Sequence, residues 1–398
     1  MFFSCKNPSG GTQGEGSYVP GGISMILSPD KLTIKVNVTT ADGSEVSVEG
    51  CAETSIPGDG SAQTLNASGT TVKLRGNITV FNCSGTHTDN QKITAINAQG
   101  CGTLEKLYCS YNQLTELEID SLSNLTVLHC RVNRLTELNV GNFLNLTSLS
   151  FSSNQISNVD IDNLTNLEFL HCADNPLSSF QVNHLLNLEN LDCSELQLSE
   201  LIIDNLTNLR YLSCADNQLT ELDLVNLTNI QCLWCYHNQI AELNLTNMSN
   251  LELVSCFQNQ LTELNVSNLA KLKGLSCEFN QITLLNAANA TALTSLYCTN
   301  NQITNLNIQN CPALSSLRCA KNNLDSAHFT AIFNALPTRS GSDNAECRLF
   351  WENDPDEHNY QFTTATAPNG FTNARDNKNW AMLYHPQNGG YNEWIDIP

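Results

Sequence analysis

An asparagine recurs every 21 residues through the middle of this chain. It keeps the same phase in ten of eleven consecutive units, and Leu196 fills the remaining slot. No residue is inserted or deleted across these units. So strict a period predicts stacked structural repeats, because one short unit cannot bury its apolar face alone. The asparagines are Asn112, Asn133, Asn154, Asn175, Asn217, Asn238, Asn259, Asn280, Asn301 and Asn322.

Two apolar columns share this period. Five residues before the asparagine slot stands leucine or valine, and three before it stands cysteine, except at Phe151. The segment Leu-x-Cys alternates with period two, which predicts a short strand. Further apolar residues follow every two or three positions, too closely for a long helix. The cysteines are Cys109, Cys130, Cys172, Cys193, Cys214, Cys235, Cys256, Cys277, Cys298 and Cys319.

Stacking gives each column a physical role. Strands in a parallel sheet lie about 4.8 Å apart, so equivalent side chains form ladders. We expect each asparagine amide to bond backbone groups at its turn, and Leu196 to cost a local hydrogen bond. Parallel cysteine side chains favour packing over disulfide geometry. Phe151 would enlarge one core slot, whereas Cys232 falls on the outward side of its strand and is expected to be an exposed thiol.

The unit L-x-x-L-x-C-x-x-N-x-L resembles the leucine-rich repeat, with cysteine in place of the third leucine. Its length and cysteine column are similar to internalin-like bacterial repeats and to the cysteine-ladder repeats of Bacteroidetes surface lipoproteins. The resemblance implies a mostly β solenoid, wound as a right-handed β-α-type superhelix with short 3-10 or irregular returns. It also implies capping units at both ends, since open ends would expose core.

The flanking segments predict four regions along the chain. Alternating apolar residues predict a β-rich amino-terminal cap, in which Cys83 starts the cysteine column and extra residues bulge near Thr86 to Asn90. Helical spacing from Asp325 to Leu336 precedes a carboxy-terminal cap, with a strand at 345–351, a helical stretch at 372–380 and a strand at 382–384. The regions are a signal remnant and flexible tether at 1–17, the amino-terminal cap at 18–82, the solenoid at 83–335 and the carboxy-terminal cap at 336–398.

The first five residues, Met-Phe-Phe-Ser-Cys, resemble the end of a lipoprotein signal. Lipid would then be carried by Cys5, and the Gly/Ser/Pro-rich stretch after it would be the tether. An ordinary cysteine at this position is the alternative. With lipid on Cys5, the protein would be extracytoplasmic, at the cell surface or outer membrane.

Charge and motifs exclude several functions. The 39 acidic against 18 basic residues give a net charge of −21, which disfavours nucleic acid and anionic membrane surfaces, so membrane contact would come only through the lipid. No nucleophile elbow, phosphate-binding loop, dinucleotide fingerprint or zinc-protease motif occurs. We therefore expect no enzymatic activity, no cofactor and no metal.

Aromatic residues gather on the predicted outward positions of the strands, mainly in the middle and late repeats. Trp and Tyr on a rigid face are typical of binding hot spots, although scattered exposed aromatics need no function. The predicted ligand-binding residues of the concave face are Phe169, Asp192, Tyr211, Trp234, Tyr236, His237, Phe257, Phe279 and Tyr297.

Two groups of residues are candidates for a metal site. Asp174, Glu195 and Asp216 precede successive asparagine slots and either hold Ca²⁺ or form a solvated acidic edge; the edge is favoured, although the sequence leaves cation binding open. His129 and His171 lie two repeats, or about 10 Å, apart, which is too far for one Zn²⁺.

The resemblance implies a bacterial surface adhesion protein that recognises a protein ligand through its concave face. A preformed face loses little entropy on binding. Two alternatives stay open: a carbohydrate-binding surface lipoprotein in glycan capture, and a structural envelope protein without a specific ligand. We expect a monomer.

Overall fold

A computed structural model describes residues 16–351, 370–386 and 394–397. The protein is mostly β and winds as a β-solenoid, as predicted. It packs as two compact units, unit 1 within residues 1–180 and unit 2 within 181–398, which are described separately. Cys5 and most of the predicted tether lie outside the described residues, and the predicted division into four regions stays a prediction.

Unit 1 begins with antiparallel strands. Strand β1 pairs with β6 and with the later strand β8 (Ile93–Asn97), whereas β2 pairs with β5 and β7. Their apolar side chains alternate inward, so Ile34, Val36 and Val38 of β2 are fully buried. The strands are β1 (Gly22–Leu27), β2 (Thr33–Thr40), β3 (Val46–Glu49), β4 (Ser55–Ile56), β5 (Asp59–Asn66), β6 (Thr71–Arg75) and β7 (Ile78–Asn82).

Pairing turns parallel where the repeats of unit 1 begin. Phe81 of β7 lies opposite Leu107 of β9, and the same register continues through the next three repeat strands. The extra residues after Cys83 form a turn, where Asp89 accepts from Lys31 at 2.6 Å. Six strands complete the unit: β8 (Ile93–Asn97), β9 (Lys106–Tyr108), β10 (Glu116–Glu118), β11 (Val127–His129), β12 (Ser148–Ser150) and β13 (Phe169–His171).

Unit 2 contains the longer parallel ladder, which we call the main ladder. Its seven repeat strands have three residues each with a buried central leucine or valine, and its last two strands are longer. The main-ladder strands are β14 (Asn190–Asp192), β15 (Tyr211–Ser213), β16 (Cys232–Trp234), β17 (Leu253–Ser255), β19 (Gly274–Ser276), β21 (Ser295–Tyr297), β23 (Ser316–Arg318), β24 (Glu346–Trp351) and β25 (Ala381–His385). A second parallel sheet joins three returns, β18 (Glu263–Asn265), β20 (Leu284–Asn286) and β22 (Asn305–Asn307).

The remaining returns are irregular, which is one of the two forms predicted for them. Within the described residues, they are successive β-turns with bonds such as Leu206 N–H to the carbonyl of Ile203 at 2.9 Å and Leu209 N–H to the carbonyl of Leu206 at 2.9 Å. Apolar side chains at these close intervals point inward from each turn, so the returns contribute to the core without forming a continuous helix. No helix among the described residues is long and apolar enough to cross a membrane.

The described carboxy-terminal elements follow the predicted pattern with one difference. Asp325 caps helix α1 (Ser326–Ala335) by accepting from the N–H groups of Ala327 and His328. The helical stretch predicted at 372–380 is shorter: residues 371–372 are α-helical and a π-helix follows at Asn373–Asn377. Beyond this segment, Trp380 is buried and its indole N–H donates to the carbonyl of Pro337 at 2.8 Å. The chain closes with β26 (Ile395–Asp396), antiparallel to β25.

The asparagine column forms the expected ladder. In the repeat of Asn238, the side-chain amide donates to the carbonyls of Cys214, Cys235 and Tyr236 at 3.0–3.2 Å. Its oxygen accepts from the N–H of Leu219 in the preceding repeat at 2.9 Å. One buried side chain therefore ties two successive turns together.

The turn at Leu196 is rebuilt around the missing amide. Leu196 N–H donates at 3.2 Å to the side-chain oxygen of Asn217, which also accepts from Leu198 N–H at 2.9 Å. Gln197 takes a left-handed backbone with φ of 59°, and the Leu196 side chain is buried in the core. The neighbouring asparagine thus bonds the backbone N–H of the altered turn.

The cysteine column is a core feature. Its described members are free thiols, fully or almost fully buried, and Phe151 is accommodated in the same column. Burial raises the pKa of Cys130 and of Cys235 to about 12, so both are neutral thiols at physiological pH. Cys232 is half-buried and not fully exposed as predicted, because it lies between Tyr211 and Leu253 in the main ladder.

We expect selective alkylation of the native protein. At pH 8, iodoacetamide should modify Cys51 and Cys232 slowly and leave the buried column unmodified, because Cys51 and Cys232 are the half-buried thiols of the described chain. Burial raises the pKa of Cys51 to about 11 and also raises that of Cys232. Peptide mass spectrometry measures this, with guanidinium-unfolded protein as the fully labelled control. Labelling of Cys235 as fast as Cys232 would contradict the packing.

Candidate functional site

The outward side chains of the main ladder form a face on unit 2, which we call the ladder face. Residues flanking each buried strand centre point outward because successive side chains alternate across a strand. Tyr211, Trp234 and Tyr297 occupy such positions and are half-buried or exposed. The turn after each strand adds a residue with left-handed backbone, such as His237 with φ of 52°.

Three of the predicted binding residues form one compact aromatic cluster on this face. The rings of Tyr236 and Phe257 stack with centroids 4.6 Å apart and an interplanar angle of 7°. His237 meets both rings edge-on, at 5.3 Å and 5.0 Å. We call Tyr236, His237 and Phe257 the aromatic patch. Because its members come from adjacent repeats, the 21-residue register itself sets their separation.

Carboxylates surround the aromatic patch. Asp216 lies 2.6 Å from Nδ1 of His237 and holds the imidazole against the rings. Partial burial raises the pKa of the Tyr236 phenol, and the nearby carboxylates of Asp216, Asp192 and Glu195 raise it further. The patch is therefore apolar at its centre and negative around it.

The structure spreads the other predicted residues of unit 2 along the ladder. Tyr211 donates to Gln231 at 3.1 Å, whereas Arg318 lies 4.1 Å above the ring of Tyr297. Trp234 stands between Ser213 and Ser255, and Phe279 is 47% exposed. These positions form no single cluster with the aromatic patch, and their role in binding stays a prediction.

Phe169 belongs to unit 1 and to another ring cluster that sequence reasoning missed. It packs 3.9 Å from His171, and His129 lies 5.9 Å from it. Tyr108 meets His129 edge-on at 5.2 Å. The sequence does contain a signal for this cluster. His129 and His171 share one outward column, and Phe169 stands two positions before His171 in the same repeat. Diagonal neighbours are within reach of aromatic rings.

Glu278 is a second residue that sequence reasoning missed. It follows Tyr236 and Phe257 in the same repeat column, is half-buried and accepts a hydrogen bond from Ser276. Burial raises the pKa of this carboxyl group. No local pattern distinguishes it from the other acidic residues, because its burial comes from neighbouring repeats.

A metal site finds no geometric support in the part of the chain that the structure describes. No three His, Cys, Asp or Glu side chains there converge as ligands for one ion. Asp216, one of the acidic residues considered for Ca²⁺, is engaged with His237 instead. On the return side, an open groove of about 470 Å³ is lined by residues that include Glu242, Glu263 and Leu284 but no aromatic residue. The ladder face is the better candidate because it carries rigid aromatic anchors.

Known sequence families match the repeats in part. A family described as Leucine Rich repeats (2 copies) matches residues 144–185 and 207–247, and one described as Leucine Rich Repeat matches residues 103–125. No curated protein matches the sequence.

Solved structures extend the similarity. The functional domain of InlJ from Listeria monocytogenes, described as including a cysteine ladder, shares 26% identity at a TM-score of 0.51, over 69% of this chain and 68% of that one. The LRR protein LIC12759 from Leptospira interrogans shares 26% identity at a TM-score of 0.50, over 60% and 72%. The internalin InlF from Listeria monocytogenes, at 24% identity and a TM-score of 0.51 over 64% and 84%, shows likeness of fold.

These matches agree with the geometry of the repeats. The segments that match the family model carry the same repeat that forms the buried Leu-x-Cys strands and the asparagine ladder. The predicted mostly β leucine-rich-repeat solenoid is therefore confirmed. The chain is built of leucine-rich repeats and is similar to internalins, including one with a cysteine ladder.

Proposed function

We propose that this protein is a bacterial cell-surface binding protein that recognises a protein ligand through the ladder face of unit 2. Leucine-rich-repeat proteins generally serve as protein-interaction scaffolds, and the similarity to internalins supports such a role here. Catalysis is not part of the proposal.

The aromatic patch is the observation that carries this proposal. Tyr236 and Phe257 are stacked before any ligand arrives, with their rings only partly buried. Aromatic side chains of this kind provide large contact areas at low entropy cost, because few torsions remain to be ordered. A monomer that needed no ligand would gain little from assembling these rings outside its core.

The surroundings of the patch favour a ligand with basic side chains. Asp192, Glu195 and Asp216 act electrostatically on Tyr236, and all three carry negative charge. A lysine or arginine of the ligand would meet an aromatic ring face and nearby carboxylates together. The net charge of −21 would also speed the approach of a basic ligand.

Peptide selection tests the protein-binding proposal. A displayed library of 12-residue peptides, panned against the protein, should enrich sequences containing lysine or arginine. Replacing Tyr236→Ala and Phe257→Ala together should weaken the enriched peptides about tenfold, since two packed rings are lost. Surface plasmon resonance at fixed ionic strength measures the affinity.

A matched control removes an aromatic ring that lies outside the ladder face. Tyr18→Ala removes an exposed ring of unit 1. This variant should retain nearly full affinity. Selection of neutral or acidic peptides, or equal affinity in wild type and the double variant, would contradict the proposal. Failure to select any peptide would favour a structural envelope role.

Surface attachment is the second part of the proposal and has its own test. We expect Cys5 to carry lipid, on the basis of the sequence that precedes it. Mass spectrometry of the amino-terminal peptide, from membrane-extracted native protein, should show an acylated cysteine. An unmodified Cys5 in that fraction would rule out this anchor.

A further inference from the structure

A shallow groove of about 340 Å³ lies on unit 1, separate from the aromatic patch. Rings of Tyr108, His129, Phe169 and His171 line it, together with serine hydroxyl groups and Arg131. We call it the early groove. Its residues come from the outward positions of β9, β11, β12 and β13 and from the segments that follow β7, β9 and β11.

The rings of the early groove form a continuous surface. Tyr108 contacts His129, His129 contacts Phe169, and Phe169 contacts His171, with centroid separations of 5.2, 5.9 and 3.9 Å. Strand β12 lies between β11 and β13 and presents serine on both outward sides of its central leucine. These small side chains allow rings two repeats apart to meet. One of them, Ser148, lies 2.9 Å from Nε2 of His129.

The charge of the early groove is opposite to that of the chain. None of the residues lining it is acidic, although the chain as a whole carries a net charge of −21. Arg131 lies 5.1 Å above the ring of Tyr111. Within the described chain, no carboxylate pairs with its guanidinium. Burial lowers the pKa of His129, and the nearby His171 and Arg131 lower it further, so the local field is positive.

We propose that the early groove binds an acidic saccharide, one or two sugar rings that bear a carboxylate. The apolar face of a pyranose ring would pack on Phe169 and Tyr108, and its hydroxyl groups would exchange hydrogen bonds with serine and imidazole groups. Arg131 would pair with the carboxylate, since its planar guanidinium suits that geometry. The volume falls in the range of small-ligand sites.

Calorimetry with defined oligosaccharides tests the early groove. The full-length protein should bind a hyaluronan tetrasaccharide, which contains glucuronate, at least about tenfold more tightly than neutral chitotetraose. Arg131→Gln should weaken hyaluronan binding about tenfold by removing the charge-assisted pair. The matched control Arg210→Gln removes another exposed arginine, which pairs with Glu189 in unit 2, and should leave binding unchanged.

Several outcomes would overturn the proposal. These are no binding of the hyaluronan tetrasaccharide, equal binding of chitotetraose, or unchanged affinity in Arg131→Gln. Equal binding of a tetraglutamate peptide would show an acidic peptide site instead. Arg131 is exposed, so its replacement should leave the fold intact; Phe169→Ala, checked by circular dichroism, should also weaken binding. The Tyr236→Ala, Phe257→Ala double variant should bind the saccharide normally, so the two proposals fail independently.

Discussion

Replacing Asn238→Ala should lower the free energy of unfolding by about 3 kcal/mol. The amide of Asn238 bonds three carbonyls, and its oxygen accepts from the N–H of Leu219. After the replacement, each of the three carbonyls keeps another donor. The side-chain amide of Asn217 donates to the carbonyl of Cys214, and that of Asn259 donates to the carbonyl of Cys235. The backbone N–H of Asp216 donates to the carbonyl of Tyr236. The N–H of Leu219 loses this acceptor in a buried turn. That loss, the three missing bonds and the small cavity together produce the effect.

Urea denaturation followed by circular dichroism measures this loss. Asn229→Ala is the matched control, because Asn229 is exposed and its amide makes one bond, to the carbonyl of Thr207 at 2.9 Å. It should cost no more than about 0.5 kcal/mol. Asn238→Asp should also destabilise the protein, since it retains the acceptor but aims a carboxylate at three carbonyls. Equal effects at Asn238 and Asn229 would contradict the ladder.

Replacing Cys235→Ser should lower the free energy of unfolding by about 2 kcal/mol. Cys235 is fully buried beneath the aromatic patch, and its thiol packs in the cysteine column. A hydroxyl group there would lose water and gain no equivalent acceptor, whereas a thiol behaves as a small apolar group. The effect is therefore one of packing and desolvation, with no disulfide to lose.

The same denaturation experiment includes its own controls. Cys232→Ser changes a half-buried outward thiol in the same repeat and should shift stability by no more than about 0.5 kcal/mol. Dithiothreitol should leave the unfolding of wild type unchanged. A reductant-sensitive transition, or equal loss in both variants, would show that the column does more than pack.

Much of the repeat architecture follows from the sequence because each repeat packs against its neighbours at a fixed offset of 21 residues. Leu212 and Cys214 point inward because successive side chains alternate across a strand, and Asn217 donates to the carbonyl of Cys214 within its own turn. The rebuilt turn at Leu196 could not be predicted in detail. There the acceptor comes from Asn217, and the bond depends on the position of that second repeat.

The candidate sites were predictable only in part. Outward placement of Tyr236 and Phe257 follows from the period, and their stacking follows from adjacency in one column. The early groove was missed because its rings lie diagonally, with His129 reaching across β12 to Phe169. Such contacts depend on which rotamers the small serines between them allow.

The sequence by itself determined the solenoid, its cysteine core and its asparagine turns, because a strict repeat turns local preferences into a ladder. Only the tertiary structure decided that Arg131 lies on Tyr111 away from any carboxylate of the described chain, and that Asp216 engages His237. It also decided that the second sheet joins Glu263–Asn265 to the next two returns, although the equivalent residues 200–202, 221–223 and 242–244 of the preceding repeats form no strand. These features arise from contacts between repeats, where side-chain size and charge vary while the period stays constant.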